Sequence, residues 1–230
     1  MSTAISWTSE TWNPVTGCTK VSAGCAHCYA ERISQKFGWS DAPWTVANEA
    51  RNIKLHPERL NKLNKFKPGS RIFVNSMSDM FHRLVPDEFI DDIFSAMVSR
   101  PDLIFQCLTK RAERASEWHG PWPEHIWLGV SVEDKRSLSR IDLLRKSKAN
   151  VKFISFEPLL EDLCDIDLAG IDWVIVGGES GQSFRPMQHA WARNIRDACK
   201  ASDTAFFFKQ SAAWRTEIGT ALQHEDGSFW

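Results

Sequence analysis

From residue 71 onward, short β-branched and aromatic runs alternate with amphipathic stretches of helical period, and this alternation restricts the fold more than any other feature. Candidate strands lie at Arg71–Asn75, Leu103–Thr109, Ile126–Val132, Lys152–Glu157, Trp173–Val176 and Ala205–Phe208. Pro86–Arg100 sets Phe89, Ile90, Ile93, Phe94, Met97 and Val98 on one helical stripe, opens with Pro86-Asp87 and stops before Pro101. Lys135–Ser147 and Ala190–Ala201 repeat the spacing, the latter with Trp191, Ile195, Ala198 and Cys199 on one face. Strands separated by helices pair in parallel through right-handed crossovers, so the fold class is α/β.

Both a β/α barrel, partial or complete, and an open doubly wound sheet satisfy that pattern. The strand ends favour the barrel. Polar clusters follow the strands: Asn75-Ser76-Met77-Ser78-Asp79, Thr109-Lys110-Arg111, Ser131-Val132-Glu133, Glu157-Pro158, Gly177-Gly178-Glu179-Ser180 and Lys209-Gln210. A barrel brings every carboxyl end to one mouth, whereas an open sheet gathers only those at a switch point. Gly129, Ser131 and Glu133 share one face of their strand, as do Phe153, Ser155 and Glu157, and small or polar residues facing inward imply a lined cavity.

The first part of the chain is less regular. An extended segment, Thr11–Thr16, runs into a cysteine cluster, and Ala26–Phe37 reads as a helix. Residues 38–70 read as an insertion, with a possible strand at Asn52–Leu55. Seven basic residues between Arg51 and Arg71 face the single acid Glu58 there. No repeat or low-complexity linker divides the chain, so residues 1–230 are expected to form one domain. The N-terminus lacks the charged and apolar regions of a signal peptide, and no apolar run approaches roughly 18 residues, so a cytoplasmic protein without a membrane span is expected. With 28 basic and 29 acidic side chains, the chain is not built to coat nucleic acid, though a local basic groove remains compatible.

Of six cysteines, Cys18, Cys25 and Cys28 form a C-x6-C-x2-C array, while Cys107, Cys164 and Cys199 stand apart. Cys107 and Cys199 read as packing thiols. Three clustered thiols suit either a zinc site completed by a fourth ligand such as His27 or His56, or a four-iron cluster with one open iron. Spacing alone does not separate the two.

Several segments together resemble the phage Gp37/Gp68 family (DUF5131): Thr11-Trp-Asn-Pro-Val-Thr-Gly-Cys18, Gly24-Cys25-Ala-His-Cys28-Tyr-Ala-Glu31, Asn75-Ser-Met-Ser-Asp-Met-Phe-His82, Leu108-Thr-Lys-Arg111, Leu128-Gly-Val-Ser-Val-Glu133, Phe156-Glu-Pro-Leu-Leu160, Gly177-Gly-Glu-Ser-Gly181, Arg185-Pro-Met187 and Phe206-Phe-Phe-Lys-Gln210. That family is similar to radical S-adenosylmethionine (SAM) enzymes. The resemblance implies a partial β/α barrel, a [4Fe–4S] cluster on Cys18, Cys25 and Cys28, SAM on the open iron, and a reducing electron donor. The first cysteine gap is six residues, against the three of the common radical SAM spacing, and Ser211-Ala-Ala-Trp214 stands where the family tends to have Trp-Gly.

With Arg71–Asn75 as the second barrel strand, the resemblance puts Ser76 and Asp79 at the SAM amino group. It puts Ser131 and Glu133 near the ribose or methionine moiety. Lys110, Arg111, Glu157, Glu179, Arg185 and Lys209 are the candidate catalytic or substrate-binding residues. Lys110, Arg111 and Arg114 could alternatively form a solvated basic helix start, and Glu157 could simply pair with Lys209 or Arg185. The basic stretch, the 11 tryptophans and the phage-type resemblance point to a nucleic-acid or nucleotide substrate. The alternative is a non-catalytic nucleic-acid-binding or accessory protein stabilised by zinc or an iron–sulfur cluster.

Overall fold

The computed structural model describes residues 3–229; Met1, Ser2 and Trp230 lie outside it. The elements in chain order are β1 (Glu10–Trp12), β2 (Val15–Thr16), α1 (Tyr29–Lys36), α2 (Glu49–Asn52), β3 (Lys54–Leu55), a 3-10 helix at Pro57–Lys65, β4 (Arg71–Val74), α3 (Asp87–Val98), β5 (Ile104–Thr109), α4 (Ala112–Glu117), β6 (Ile126–Ser131), α5 (Ser139–Lys146), β7 (Lys152–Phe156), β8 (Trp173–Gly177), α6 (His189–Ala201) and β9 (Ala205–Gln210). Seven strands pair in parallel in the order β1-β4-β5-β6-β7-β8-β9, and β2 with β3 forms a small antiparallel ribbon.

The sheet is curled. The Trp7 indole, just before β1, lies 4.7 Å from the Phe73 ring on β4 and 6.1 Å from the Trp173 ring on β8, centroid to centroid. Those strands are four places apart and would be about 19 Å distant in a flat sheet. With β1 and β9 unpaired to each other, the result is a partial β/α barrel.

Each strand presents alternate residues to the two sides. Outward residues such as Val74, Phe105, Leu128, Ile154 and Val176 meet the helices in the main core. α3 contributes Phe89, Ile90, Ile93, Phe94 and Met97, as its spacing predicts, with Asp87 and Glu88 favourably placed at its N-terminus. Inward, Phe73, Phe153 and Ile175 join Trp7 in a separate apolar floor, flanked by Leu108, Trp127, Trp173 and Phe207. Gly129 is required there: a Cβ at this position would stand 2.4 Å from the Phe153 ring.

Two local expectations shift. The extended segment Thr11–Thr16 breaks at Asn13-Pro14, because proline cannot donate to a ladder, and the chain passes from the large sheet to the ribbon. The helix expected from Ala26 starts at Tyr29, since Ala23–Cys25 forms a 3-10 turn and Cys28 is extended. Among the described residues, no helix is long and apolar enough to cross a membrane.

Gly129→Ala is expected to destabilise the fold by about 1–3 kcal/mol through overpacking against Phe153. Urea unfolding measures the loss, and Gly129→Ala/Phe153→Leu should recover part of it if the two positions share the inner layer.

Candidate metal centre and active site

The cysteine loop closes over the carboxyl ends of the strands. Cys18 follows β2, Cys25 ends the 3-10 turn, and Cys28 immediately precedes α1. All three are half-buried and line one cavity of about 1630 Å³ that reaches from the aromatic floor to the strand ends. The same cavity is lined by Ser76, Asp79, Lys110, Arg111, Ser131, Glu157, Glu179 and Lys209, so these separately noted strand-end residues share one space.

Three carboxylates tie the loop to the barrel. Asp79 accepts hydrogen bonds from Thr109 Oγ1 (2.7 Å), the backbone N–H groups of Phe81 and Lys110 (3.0 Å each) and Arg111 Nη1 (2.9 Å). Arg111 then donates to the carbonyl (3.2 Å) and hydroxyl (3.0 Å) of Thr19, and to Cys18 Sγ at 3.4 Å. Glu133, with no solvent exposure, accepts from Ser22 Oγ (2.8 Å), Ser137 Oγ (3.0 Å), Arg140 Nη1 (2.9 Å) and Lys110 Nζ. Gly24 of the loop lies against this carboxylate, and a Cβ there would meet its atoms at 2.4–2.8 Å. Glu179 accepts from His27 Nδ1 (3.0 Å) and from Arg185 through its backbone N–H (2.8 Å), Nε (3.0 Å) and Nη2 (2.5 Å). Arg185 Nη2 also donates to the Ala23 carbonyl at 3.0 Å.

The charges are matched. Burial works to raise the Glu133 carboxyl, but Lys110 and Arg140 outweigh it and hold the group below the ordinary carboxylate range. At Glu179, burial is likewise outweighed, here by Arg185 and His27. The thiols differ. Cys18 and Cys28 border the cavity but sit deep among protein atoms, and this desolvation pushes both up, Cys18 to about 12. Arg111 opposes the rise at Cys18, and the Ala30 and Glu31 N–H groups, with Lys110, oppose it at Cys28. These groups favour thiolate once a cationic centre is present.

The remaining candidates separate. Glu157 pairs with Lys209 (2.9 Å), not Arg185, and accepts from Ser155 Oγ (3.0 Å). Ser76 shares a hydrogen bond with the Asn13 amide (3.2 Å), while its carbonyl accepts from the Tyr29 hydroxyl (2.8 Å). Lys110 and Arg111 turn inward; Arg114 instead binds Asp87 and the carbonyls of His82 and Val85. Cys107 and Cys199 are buried in the outer core, whereas Cys164 is exposed. Arg140, Ser22 and Ser137, which complete the carboxylate shells with Thr109, were not among the sequence candidates. Arg140, at the start of the helix that follows Glu133, was the most discoverable of them.

Among the described residues, no three His, Cys, Asp or Glu side chains converge as ligands of one metal ion. His27 is bonded to Glu179, and His56 to Thr16 Oγ1 (2.8 Å) and Glu58 (3.2 Å). Tetrahedral zinc needs such convergence, whereas a four-iron cluster takes each thiolate on a different iron. Three thiols on one cavity are the kind of donor set that such a cluster takes.

A family model described as "Protein of unknown function (DUF5131)" matches residues 2–228, and the chain belongs to that family. No curated protein matches the sequence. Among solved structures, a cysteine-to-serine mutant of spore photoproduct lyase aligns with a TM-score of 0.51 and 11% identity, covering 88% of this chain and 64% of that one. Spore photoproduct lyase complexed with dinucleoside spore photoproduct aligns with a TM-score of 0.43 and 13% identity over 82% of this chain and 60% of that one. The chain thus spans less than two thirds of the first structure's length. The likeness shows the fold, a partial β/α barrel.

Glu133→Gln is expected to cost about 3–5 kcal/mol by leaving Lys110 and Arg140 short of their buried counter-charge. Denaturant unfolding reads the loss, and faster thiol modification of Cys25 would report release of the loop. His82 gives a pH prediction. Its ring is buried, accepts the Leu84 N–H at Nδ1 (3.2 Å) and bonds Thr19 Oγ1 (3.0 Å). Desolvation, then Arg111, lowers it from 6.5 to about 4. The unfolded chain therefore binds the extra proton first, so stability falls as pH drops from 6.5 towards about 4. In metal-free protein, His82→Gln should flatten that slope by up to about one proton.

Proposed function

We propose that this protein is a radical SAM-like iron–sulfur enzyme whose Cys18, Cys25 and Cys28 each hold one iron of a [4Fe–4S] cluster. The observation that carries the reading is that the three thiols line the same cavity as the polar strand-end residues of the half-barrel. Held there by Cys18, Cys25 and Cys28, a cluster together with SAM would supply reductive, 5′-deoxyadenosyl-type radical chemistry on a substrate C–H bond.

The chain's own residues prepare that chemistry. Arg111, fixed by Asp79, places an N–H donor on Cys18 Sγ and stabilises the thiolate. Glu133 and Glu179 hold the loop over the sheet, so all three sulfurs keep their positions against the cavity. Ser76 and Ser131 line the space proposed for SAM, with Asp79 and Glu133 acting behind them through Arg111 and Lys110. The Glu157–Lys209 pair is the proposed polar contact for substrate, and the apolar floor under it excludes water. A nucleic-acid or nucleotide substrate is supported by the cations that border the cavity. A low-potential one-electron donor completes the requirements.

Electron paramagnetic resonance of anaerobically purified, reduced protein, with iron analysis, tests the reading. A four-iron signal that changes on adding SAM is expected, and Cys18→Ala, Cys25→Ala and Cys28→Ala should each lose iron while keeping the far-ultraviolet circular dichroism of the fold. Zinc, or an iron signal indifferent to SAM, would overturn it in favour of a non-catalytic metal-stabilised protein.

A further inference from the structure

The 3-10 helix Pro57–Lys65 carries a regularity that the catalytic reading does not use. Of its two leucines, Leu63 is buried in the main core and Leu60 packs against it. Arg59, Lys62 and Lys65 recur at every third position, and in a 3-10 helix residues three apart eclipse one another. The three cations therefore form one row, spaced by about 6 Å per turn. All three line the cavity that holds the cysteines. Arg59 is anchored by the Asn13 carbonyl (2.9 Å) and lies 3.6 Å from the exposed Glu58 carboxylate, whereas no described carboxylate pairs with Lys62 or Lys65, both exposed.

The charge of the cavity is one-sided in consequence. Its lining acids, Asp79, Glu157 and Glu179, are already matched by Arg111, Lys209 and Arg185. The cationic row adds positive charge beyond these pairs, in a chain whose formal net charge is −1.

Two large aromatic surfaces border the same cavity. Trp39 is 55% exposed, and it stacks on Phe37 at 5.3 Å with 25° between the planes. Trp214, just past β9, is 60% exposed and carries the Arg215 guanidinium 4.7 Å from its ring centre. The row lies beside β1, where the Trp12 indole donates to the Arg59 carbonyl (2.9 Å), and Trp214 follows β9. Cations and rings thus come from both open edges of the half-barrel.

We infer that Arg59, Lys62 and Lys65 grip the sugar–phosphate backbone of a single-stranded nucleic acid, whose unstacked bases lie on Trp39 and Trp214 beside the thiol cavity. The inference rests on the nucleic-acid reading above and specifies it. A repeated row of cations suits a polyanion with repeated phosphates, and exposed rings suit bases freed from a duplex. A duplex would leave the rings unused, and a mononucleotide would leave most of the row unused.

Fluorescence anisotropy of the full chain with labelled single-stranded 12-mers, the matching duplex and a competing mononucleotide, over a salt series, tests this. Tighter binding of the single strand is expected, with a log–log salt slope of about −2 for three contacts. Lys62→Gln/Lys65→Gln should weaken binding and reduce the slope by about 1.4. Trp39→Ala and Trp214→Ala should each weaken binding by about 5- to 150-fold with the slope unchanged. All four positions are exposed, so circular dichroism should be unaltered. Equal affinity for duplex, equal competition by the mononucleotide, no binding at low salt, or variants that bind like the parent would each overturn the inference. Paramagnetic resonance with SAM is read separately on the same variants. A normal SAM response without strand binding removes only the groove, whereas strand binding without a SAM response removes the enzyme reading and leaves the groove standing.

Discussion

A carboxylate with no solvent exposure sits where the cysteine loop meets the barrel. Placing Glu133 there is costly, because a charge removed from water must recover its hydration from fixed partners. It does so through Lys110 at the end of β5, Arg140 on α5, Ser137 before α5 and Ser22 of the loop. Three stretches of chain, the cysteine loop, the end of β5 and the segment from Glu133 into α5, are thereby obliged to meet at one point. None can leave without stranding a buried charge. Asp79 and Glu179 repeat the device at Cys18 and His27, so the loop is held along its length by three charged clamps rather than by a core of its own.

The division of the inner face explains how such polarity is tolerated. Nearer the strand starts, Trp7, Phe73 and Phe153 fill the concave side with rings, and Ile175 packs with them at the level of Ser131 and Ser155. Nearer the strand ends, Ser131, Ser155, Glu157 and Lys209 replace them, and the cavity opens. Because strands in this sheet are parallel, all of them change character in the same direction. The apolar half supplies the rigidity, and the polar half inherits a shaped, partly desolvated space. Curling the sheet brings residues from non-neighbouring strands into this space, which a flat sheet would keep too far apart.

Much of this was legible in the sequence, for reasons that can be traced to particular residues. The six strands from Arg71 to Gln210 stand out because period-two patterning and β-branched content coincide, and α3 because Pro86-Asp87 and Pro101 bracket an unbroken apolar stripe. The inward facing of Ser131, and of Ser155 and Glu157, follows from alternation. Less was legible before residue 71. Asn13-Pro14 splits one apparent strand between two sheets, and the 3-10 turn at Ala23–Cys25 delays α1, since both effects depend on partners distant in sequence. The row of Arg59, Lys62 and Lys65 was visible only as a basic stretch, because its alignment depends on the segment being a 3-10 rather than an α-helix.

The sequence by itself determined the α/β class, the order of strands and helices, the three-thiol loop and the polar character of every strand end, all properties carried by local pattern and composition. Only the tertiary structure decided which charges meet: Glu157 with Lys209 and not Arg185, Arg111 with Asp79 and Cys18, Glu133 with Arg140. Pairing of buried charges is set by where the curled sheet delivers each side chain and by the cost of leaving any one of them unpaired. Those are distances through space, and spacing along the chain does not encode them.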